Sequence, residues 1–219
     1  MTSTQRHSAP RPKLDFTPTP FDFEEPPADP IAAFHLWYAD ALRLPVPNPD
    51  AMALATVDSH GIPSARAVLL RGFDEQGAVF FTNRSSRKGE ALEACPRAAL
   101  LFHWDLLDRQ VRIEGAATHT SDLESDEYWN SRPRENQLAA WASDQSHPVE
   151  TRAELEERVR DAERRFKDQP VPRPPHWGGY RVSIHSIEFW QGKPNRLHDR
   201  VRYQHCPQLG GWVTRRLCP

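Results

Sequence analysis

The chain has 219 residues, with 28 lysines and arginines against 30 aspartates and glutamates, a net charge of −2, 21 prolines and three cysteines. This length suffices for one substantial core, the balanced charge argues against a nucleic-acid partner, and the prolines disfavour a helix bundle because proline interrupts the helical hydrogen-bond ladder. Three cysteines without a CxxC pair argue against a disulfide framework, and no signal-peptide pattern or long apolar run indicates secretion or a membrane, so a soluble cytoplasmic protein is predicted.

The N-terminal part is predicted to be an arm outside the folded domain. Residues 1–20 are rich in Ser, Thr, Pro and Arg and read as a disordered leader, which an acidic, proline-stiffened arm continues to residue 28. A single domain is then predicted over residues 29–219. Its first helix is expected to begin near Asp29 and Pro30, an N-cap and a first-turn proline. The apolar face of that helix is predicted to consist of Phe34, Trp37, Tyr38 and Leu42.

The next part of the chain alternates short apolar runs with Asp/Gly turns, as antiparallel hairpins do. Strands are predicted at 52–57, 65–70, 78–82, 98–104 and 110–117, with a short helix from Ser86 to Leu92 between the third and the fourth.

Helices return after residue 120. They are predicted at 121–131, at 137–142 and, behind a capping box at Thr151 and Glu154, through Phe166. The apolar stripe of the last helix is Leu155, Val159, Ala162 and Phe166, and its charged face is expected to be solvated, with pairs such as Glu154/Arg158 and Asp161/Arg165.

Four more strands are predicted at 180–184, 187–190, 201–204 and 211–214. Strands of this kind with inserted helices indicate a mainly β fold, an antiparallel barrel with added helices.

Several catalytic signatures are missing from the chain. It has no GxGxxG after a strand, no Walker loop, no HExxH and no GxSxG, and its ten histidines lack the spacing of metal ligands. No metal site is therefore predicted.

Cations recur instead at strand ends and at one helix start. Arg66 and Arg71 flank an apolar strand, and Arg87 and Lys88 stand where the short helix begins. A helix N-terminus and arginine both favour phosphate, although a plain charged loop is an equally good interpretation of any one pair.

A second group of cations lies near the C-terminus. Arg196, His198 and Arg200 occupy alternate positions, so on a strand they would share one face beside Trp190 and would suit a planar anion. Gln110 could bond a heteroaromatic ring or simply a neighbouring strand. Tyr128, Arg132 and Asn136 recur every fourth residue but are interrupted by Pro133, which makes them a weak cluster by spacing alone.

Taken in order, these blocks resemble the pyridoxine/pyridoxamine 5′-phosphate oxidase family from about residue 29 to the end. The resemblance rests on residues 52–58, 66–71, 81–83 with 86–88, 109–111, 131–133, 145–146, Trp177-Gly178-Gly179, 188–192 and 196–200. It implies an antiparallel FMN-binding split β-barrel that works as a homodimer with FMN at the interface.

The resemblance also implies residue roles. Arg66, Arg87 and Lys88 would hold the FMN phosphate and ribityl chain, and Phe81 and Thr82 would line the ring. Gln110, Trp190 and Arg200 would complete the flavin site, with Gln145 and Ser146 reaching in from the partner. The segment Ala67, Val68, Leu69, Leu70 and Arg71 would border the cofactor. Substrate phosphate would meet Arg71, Tyr128, Arg132 and Asn136, and the catalytic pair Arg196 and His198 would close over the pyridine ring.

The implied reaction is oxidation of pyridoxamine or pyridoxine 5′-phosphate to pyridoxal 5′-phosphate. Hydride passes to the flavin, and O₂ reoxidises the flavin and becomes H₂O₂, while the protein supplies position and electrostatics. The substrate phosphate, remote from the reacting carbon, can hold that carbon in place.

The chain departs from the family pattern at four points. Arg71 replaces a usual lysine, Asn136 a serine and Phe81 a tyrosine, and the acidic segment 21–27 replaces an arm with Arg and Tyr that covers substrate.

This acidic arm is more similar to that of flavin oxidases of phenazine biosynthesis, so oxidation of a dihydrophenazine carboxylic acid is the alternative function. Arg132 and Trp177-Gly178-Gly179 instead favour the vitamin B6 reaction. A third interpretation is a non-catalytic flavin- or pyridoxal-phosphate-binding protein. The second anion site argues against it, because a pure carrier would not need one.

Overall fold

A computed structural model describes residues 14–219, which form five α-helices and ten β-strands. Residues 1–13 of the predicted disordered leader lie outside the described residues. The helices are α1 (Pro30–Leu42), α2 (Arg87–Ala94), α3 (Asp122–Ser131), α4 (Arg134–Ala142) and α5 (Arg152–Arg165). The strands are β1 (Ala51–Val57), β2 (Pro63–Leu69), β3 (Gly72–Asp74), β4 (Gly77–Asn83), β5 (Arg97–Trp104), β6 (Arg109–His119), β7 (Trp177–Val182), β8 (Ser186–Gln191), β9 (Asp199–Cys206) and β10 (Gly211–Arg216).

All strand pairings are antiparallel, as the hairpin pattern predicted. The main path runs β10-β9-β8-β6-β5-β1-β2, and β4 joins it through β7, which pairs with the end of β6. The short strand β3, which the sequence pattern did not predict, pairs with β4. The sheet therefore branches at β6, and this branch brings β4 and β7 round towards the helices.

The inner face of the sheet carries the main core. Leu54, Leu100, Val111 and Phe189 are fully buried there, since apolar residues alternate with outward-facing ones along each strand. From α1, Phe34 and Trp37 pack on this face as predicted, but Leu42 is 53% exposed at the end of the helix, so its place in the apolar face was predicted wrongly.

Three of the five helices, α1, α3 and α5, begin where a capping side chain accepts from one of their first N–H groups. Asp29, Ser121 and Thr151 accept from the backbone N–H of Ile31, Glu124 and Glu154 respectively. On α5 the Glu154–Arg158 pair forms at 2.6 Å. The expected Asp161–Arg165 pair is wrong, because Asp161 pairs with Arg164 while the Arg165 guanidinium lies over the ring of Trp141 at 4.7 Å.

Residues 14–28 lie against the core without regular secondary structure. Phe23 is 9% exposed, and Tyr203 donates its hydroxyl to the carbonyl of Pro27 at 2.8 Å. Glu24 in the acidic part forms an ion pair with Arg216 of β10. Among residues 14–219, no helix is long and apolar enough to cross a membrane.

Gly115 lies where β6 changes partner from β8 to β7, and we expect Gly115→Ala to cost about 3 kcal/mol of unfolding free energy. A Cβ at this position would stand 1.6 Å from the backbone oxygen of Ser183, so a strand would have to move. Chemical denaturation measures the loss. The control is Gly211→Ala, whose Cβ would meet nothing within 4 Å and should change stability by less than about 0.5 kcal/mol. Equal stability of the two variants would contradict the close approach.

Candidate functional site

A cavity of about 690 Å³ opens between β2, β4 and the helices α3 and α4. It brings together most of the residues predicted for the flavin and the substrate, although they come from distant parts of the chain. The predicted residues that line it are Ala67, Val68, Leu69, Arg71, Phe81, Thr82, Lys88, Tyr128, Arg132, Asn136 and Gln145. Leu70 does not line the cavity and is buried in the main core, 4% exposed.

Lys88 lies at one end of this cavity and is 8% exposed. Its Nζ donates to Ser86 Oγ at 3.0 Å and to Gln145 Oε1 at 2.7 Å. Burial, and to a lesser degree the charge of Arg66, lower the pKa of Lys88 to about 8. An anion bound here would offset both the desolvation of the ammonium group and its repulsion by Arg66.

Arg66 and Arg87 do not line this cavity, but Arg66 lies close enough to Lys88 for its charge to act on it. The Arg66 guanidinium donates to Leu54 O and Thr56 Oγ1 at 3.1 and 2.8 Å, and its pKa is lowered by burial and by the charge of Arg87. Arg87 is the first residue of α2, and Ser86 leaves the first N–H groups of this helix without a side-chain cap. The combined N–H groups and cations are typical of a phosphate site.

Arg132 lies at the other end, where α3 gives way to α4. Its guanidinium carbon stands 5.2 and 4.7 Å from the ring centroids of Trp129 and Trp177, and its Nη1 is buried without a hydrogen-bond partner among the described residues. Burial lowers the pKa of Arg132, and the charge of Arg71 acts in the same direction. A buried guanidinium with an unused donor is suited to an anionic ligand, because an unsatisfied donor is costly.

The helix break at Pro133 does not separate the other predicted substrate residues. α3 ends at Ser131 and α4 begins after Pro133, yet Tyr128, Arg132 and Asn136 all line the cavity. Arg71 lies there too, paired with Asp50 at 2.5 Å.

Three aromatic rings in the cavity lining are nearly parallel. The ring of Phe81 stacks on Tyr128 at 4.1 Å and on Trp177 at 5.5 Å between centroids, with interplanar angles of 17° and 10°. A planar ligand ring can pack against such a stack.

Gln110, Trp190 and Arg200 lie elsewhere, on the outer face of β6, β8 and β9. They line a separate cavity of about 250 Å³ with Leu101, Arg112 and Glu188, and the two cavities share no residue. Arg200 donates from Nε and Nη2 to Glu188 Oε1 at 2.8 and 2.7 Å. Within one chain, the structure therefore does not bring these three residues to Lys88.

The predicted common strand face of Arg196, His198 and Arg200 is wrong. Residues Pro194–Arg196 form a 3₁₀ turn in which Asn195 and Arg196 have φ of 58° and 61°, and β9 begins only at Asp199. His198 nonetheless lies beside Trp190, with 4.6 Å between ring centroids, and its Nδ1 accepts the backbone N–H of Lys193. Arg196 is exposed.

Gln145 does not need a partner subunit to reach the flavin-side cations. Its Oε1 accepts from Thr82 Oγ1 at 3.1 Å and from Lys88 Nζ in the same chain, which corrects the expectation that it reaches in from the partner. Ser146, which was predicted with it, is exposed with φ of 76° and lies outside the cavity lining.

Sequence reasoning missed several lining residues. Ala139 and Ser143 carry no distinctive spacing, and the pairing of Asp50 with Arg71 spans 21 positions. Asn83, Ser131 and Trp177 could have been found, because they stand in the blocks 81–83, 131–133 and Trp177-Gly178-Gly179. Within residues 14–219, no group of three or more His, Cys, Asp or Glu could hold a metal ion.

Comparison with known proteins gives the same assignment over most of the chain. The family profile described as pyridoxamine 5′-phosphate oxidase matches residues 39–166, and a profile described as pyridoxine 5′-phosphate oxidase C-terminal dimerisation region matches residues 177–219. The pyridoxine/pyridoxamine 5′-phosphate oxidase of Rubrobacter xylanophilus is 56% identical over 191 residues, 87% of each chain. That of Bordetella avium is 57% identical over 192 residues, 88% of this chain and 90% of its own.

Solved structures confirm the split-barrel fold. PhzG from Burkholderia lata, in complex with tetrahydrophenazine-1-carboxylic acid, aligns with a TM-score of 0.83 at 33% identity over 90% of this chain and 96% of its own. A pyridoxamine 5′-phosphate oxidase-related FMN-binding protein of Nostoc punctiforme aligns at 0.61 with 19% identity, over 78% and 88% of the two chains, a likeness of fold. Because the family profile matches more than half of its length and relatives share more than 50% of its residues, this chain belongs to the pyridoxamine 5′-phosphate oxidase family.

Proposed function

We propose that the protein is an FMN-dependent oxidase that converts pyridoxamine or pyridoxine 5′-phosphate to pyridoxal 5′-phosphate and reduces O₂ to H₂O₂. The observation that carries this proposal is the presence of two groups of cations around one cavity. Lys88 lines the cavity with Arg66 near it and Arg87 near Arg66, and Arg71 and Arg132 line it as a second group. Two groups of cations and a stack of aromatic rings in one cavity suit two phosphate-bearing planar molecules, a cofactor and a substrate.

The residues at the Lys88 end fit FMN. Lys88, Arg66 and the first N–H groups of α2 would hold the phosphate, and Phe81 and Thr82 would line the ring. Bound FMN supplies the acceptor for the two electrons of the substrate and the reaction with O₂. The chain itself supplies binding and orientation, since a phosphate held by Arg132 and Arg71 fixes the position of the carbon that is oxidised.

Arg196 and His198 are proposed to close over the substrate ring. His198 is supported beside Trp190, and its Nδ1 accepts from Lys193, so its proton is on Nε2 when the ring is neutral. The exposed Arg196 stands in a left-handed backbone conformation that is rare outside glycine, and such strain clusters at ligand-binding sites.

A homodimer with FMN at the interface is part of this proposal. The outer sheet face carries exposed small residues in register, Ala53 opposite Ala67 and Ala55 opposite Ala65, with the partly exposed Leu101 beside them. A second copy can approach such an alanine face closely, and the C-terminal part of the chain matches a dimerisation region. Because Gln110, Trp190 and Arg200 lie away from Lys88 within one chain, a partner is the means by which they would reach its flavin.

The proposal is tested by purifying the protein, recording its visible spectrum with added FMN, and following H₂O₂ release. Pyridoxamine 5′-phosphate should support turnover, and the yellow protein should elute as a dimer. A protein that FMN does not reconstitute contradicts the proposal. The acidic arm and the likeness to PhzG keep one alternative, oxidation of a dihydrophenazine carboxylic acid. A flavoprotein that is inert to B6 phosphates and active on that acid would establish the alternative.

Arg196→Ala and His198→Ala are each expected to lower kcat/KM about 100-fold and to change FMN affinity less than twofold. The reason is that both residues are assigned to the substrate rather than to the cofactor. Stopped-flow reduction of the bound flavin and fluorescence titration with FMN measure the two effects. Lys193→Ala is the control, because only the backbone N–H of Lys193 contacts His198. A parallel loss of FMN from the first two variants would show that they serve the cofactor.

A further inference from the structure

The segment 14–27, called the strap below, contacts the core at a buried ion pair. Asp40 and Arg109 pair at 2.7 Å with side chains only 6% and 4% exposed. Thr19 of the strap donates its backbone N–H to Asp40 Oδ2 at 2.6 Å and its hydroxyl to Asp40 Oδ1 at 3.2 Å, and its carbonyl accepts from Arg109 Nη2. Thr19 therefore satisfies groups on both members of the pair, and a buried pair depends on such additional bonds.

The ion pair lies one step along the strands from two proposed flavin residues. Gln110 stands opposite Trp190 in the β6–β8 ladder, and Arg109 stands opposite Gln191. Arg109 Nε donates to Gln191 Oε1 at 3.2 Å, and the Gln191 amide donates to the carbonyls of residues 107 and 108 at 3.1 and 3.2 Å. Arg109 thus adds a side-chain bond to the β6–β8 ladder at the pair of residues next to Gln110 and Trp190.

The strap also holds the other neighbour of Trp190. Phe21 stacks on Phe189 with 5.0 Å between ring centroids and an interplanar angle of 29°, and it packs edge-on against Trp37 at 5.4 Å. The Arg109 guanidinium lies over the same Trp37 at 4.3 Å. Trp190 is consequently flanked on both sides by residues that the strap holds, Phe189 directly and Gln191 through Arg109.

We propose that the strap is a positioning element of the flavin site, and that Thr19 is a positioning residue that sets Gln110 and Trp190 through Asp40, Arg109 and Gln191. The inference rests on the proposed function, since Gln110 and Trp190 are assigned there to the flavin. The strap would then have a role other than covering substrate. A change in the strap is expected to weaken binding of the flavin ring and to leave binding of the phosphate at Lys88 unchanged.

Thr19→Pro tests the inference, because proline removes both the N–H and the hydroxyl that bond Asp40 while the chain stays complete. Fluorescence titration of the full-length apoprotein should give an approximately tenfold loss of affinity for FMN, because displaced Gln110 and Trp190 side chains would lose part of their contact with the ring. Riboflavin, which lacks the phosphate, should lose affinity by the same factor, so the ratio of the two affinities stays as in the unaltered protein. Thr17→Pro, the same change at an exposed residue of the strap, is the matched control and should bind both flavins normally.

Two further measurements keep the inference separate from folding and from the proposed function. Thermal unfolding of each apoprotein shows whether Thr19→Pro is folded at the assay temperature. Gln191→Met removes the hydrogen bond between Arg109 and the Gln191 side chain and leaves the strap unchanged. It therefore tests the inference even if Thr19→Pro is unfolded. Unchanged riboflavin affinity in Gln191→Met, or in folded Thr19→Pro, overturns the inference while the oxidase proposal stands. Failure of the unaltered protein to bind FMN overturns the oxidase proposal.

Discussion

Lys88→Met is expected to weaken FMN binding at least about 30-fold, about 2 kcal/mol, and to leave the apoprotein at least as stable as the unaltered protein. The two effects have opposite signs because Lys88 is a buried charge that no carboxylate balances. Among residues 14–219, its ammonium group donates to Ser86 Oγ and Gln145 Oε1 and to no carboxylate, and burial lowers its pKa to about 8. Methionine removes the desolvation cost together with the charge that attracts the phosphate. Lys167→Met, at an exposed lysine, should change neither property.

The lowered pKa of Lys88 also predicts how binding and stability depend on pH. Between about pH 8 and its ordinary value of 10.5, the unfolded chain binds this proton and the folded apoprotein does not, so the contribution of Lys88 to stability rises with pH in that window. Affinity for FMN should fall over the same range, by up to about tenfold per pH unit, because a neutral amine no longer attracts the phosphate. Titrations at pH 7 and pH 9 measure the change, and it should vanish in Lys88→Met. A pH-independent affinity in the unaltered protein would contradict the assignment of Lys88 to the phosphate.

Arg132→Met is expected to raise KM for pyridoxamine 5′-phosphate about 100-fold, near 2.7 kcal/mol, with little change in FMN affinity. Arg132 has an unused Nη1 donor in a cavity wall between Trp129 and Trp177, so a ligand phosphate would meet it without first breaking a bond within the protein. Methionine removes the desolvation cost of Nη1 together with the guanidinium contacts to the two Trp rings, and because these effects oppose each other the stability of the apoprotein should change little. Initial rates over a range of substrate concentrations measure the effect.

Two comparisons make the Arg132 result specific. Arg97→Met, at an exposed arginine at the start of β5, should leave KM unchanged. Unphosphorylated pyridoxamine should be an equally poor substrate for Arg132→Met and for the unaltered protein, since it has no phosphate to lose. A variant that loses FMN instead of substrate affinity would place Arg132 at the cofactor.

Local sequence patterns predicted helices and strands well where the residues that define them are close together in the chain. Asp29 caps α1 and Thr151 caps α5 because a side-chain oxygen and an N–H two or three residues later define a helix start without help from the rest of the chain. The hairpin strands follow likewise from alternation and Asp/Gly turns. The same local logic failed at Arg196 and His198, where alternation suggested a strand. A 3₁₀ turn with two left-handed residues stands there instead, because Pro194 begins a turn before β9 can start.

The candidate site was predictable only as a set of residue types. Cations at strand ends and at the start of α2 indicated phosphate from sequence, and the order of the motifs indicated the family. Which cations share a cavity depends on β4 and β7, whose pairing turns α3 and α4 towards β2. Gln145 joined Lys88 within one chain, whereas Gln110 and Trp190 did not, and no spacing in the sequence distinguishes these outcomes.

The sequence by itself determined most of the secondary structure, the family and the chemistry of the ligand, because capping, alternation and ordered motifs are properties of neighbouring residues. Only the tertiary structure decided that Arg132 is buried with a free donor, that Lys88 titrates near pH 8, and that Thr19 bonds Asp40 and Arg109 across the core. These three properties are set by desolvation and by contacts between residues far apart in the chain, which depend on how the sheet curls and branches.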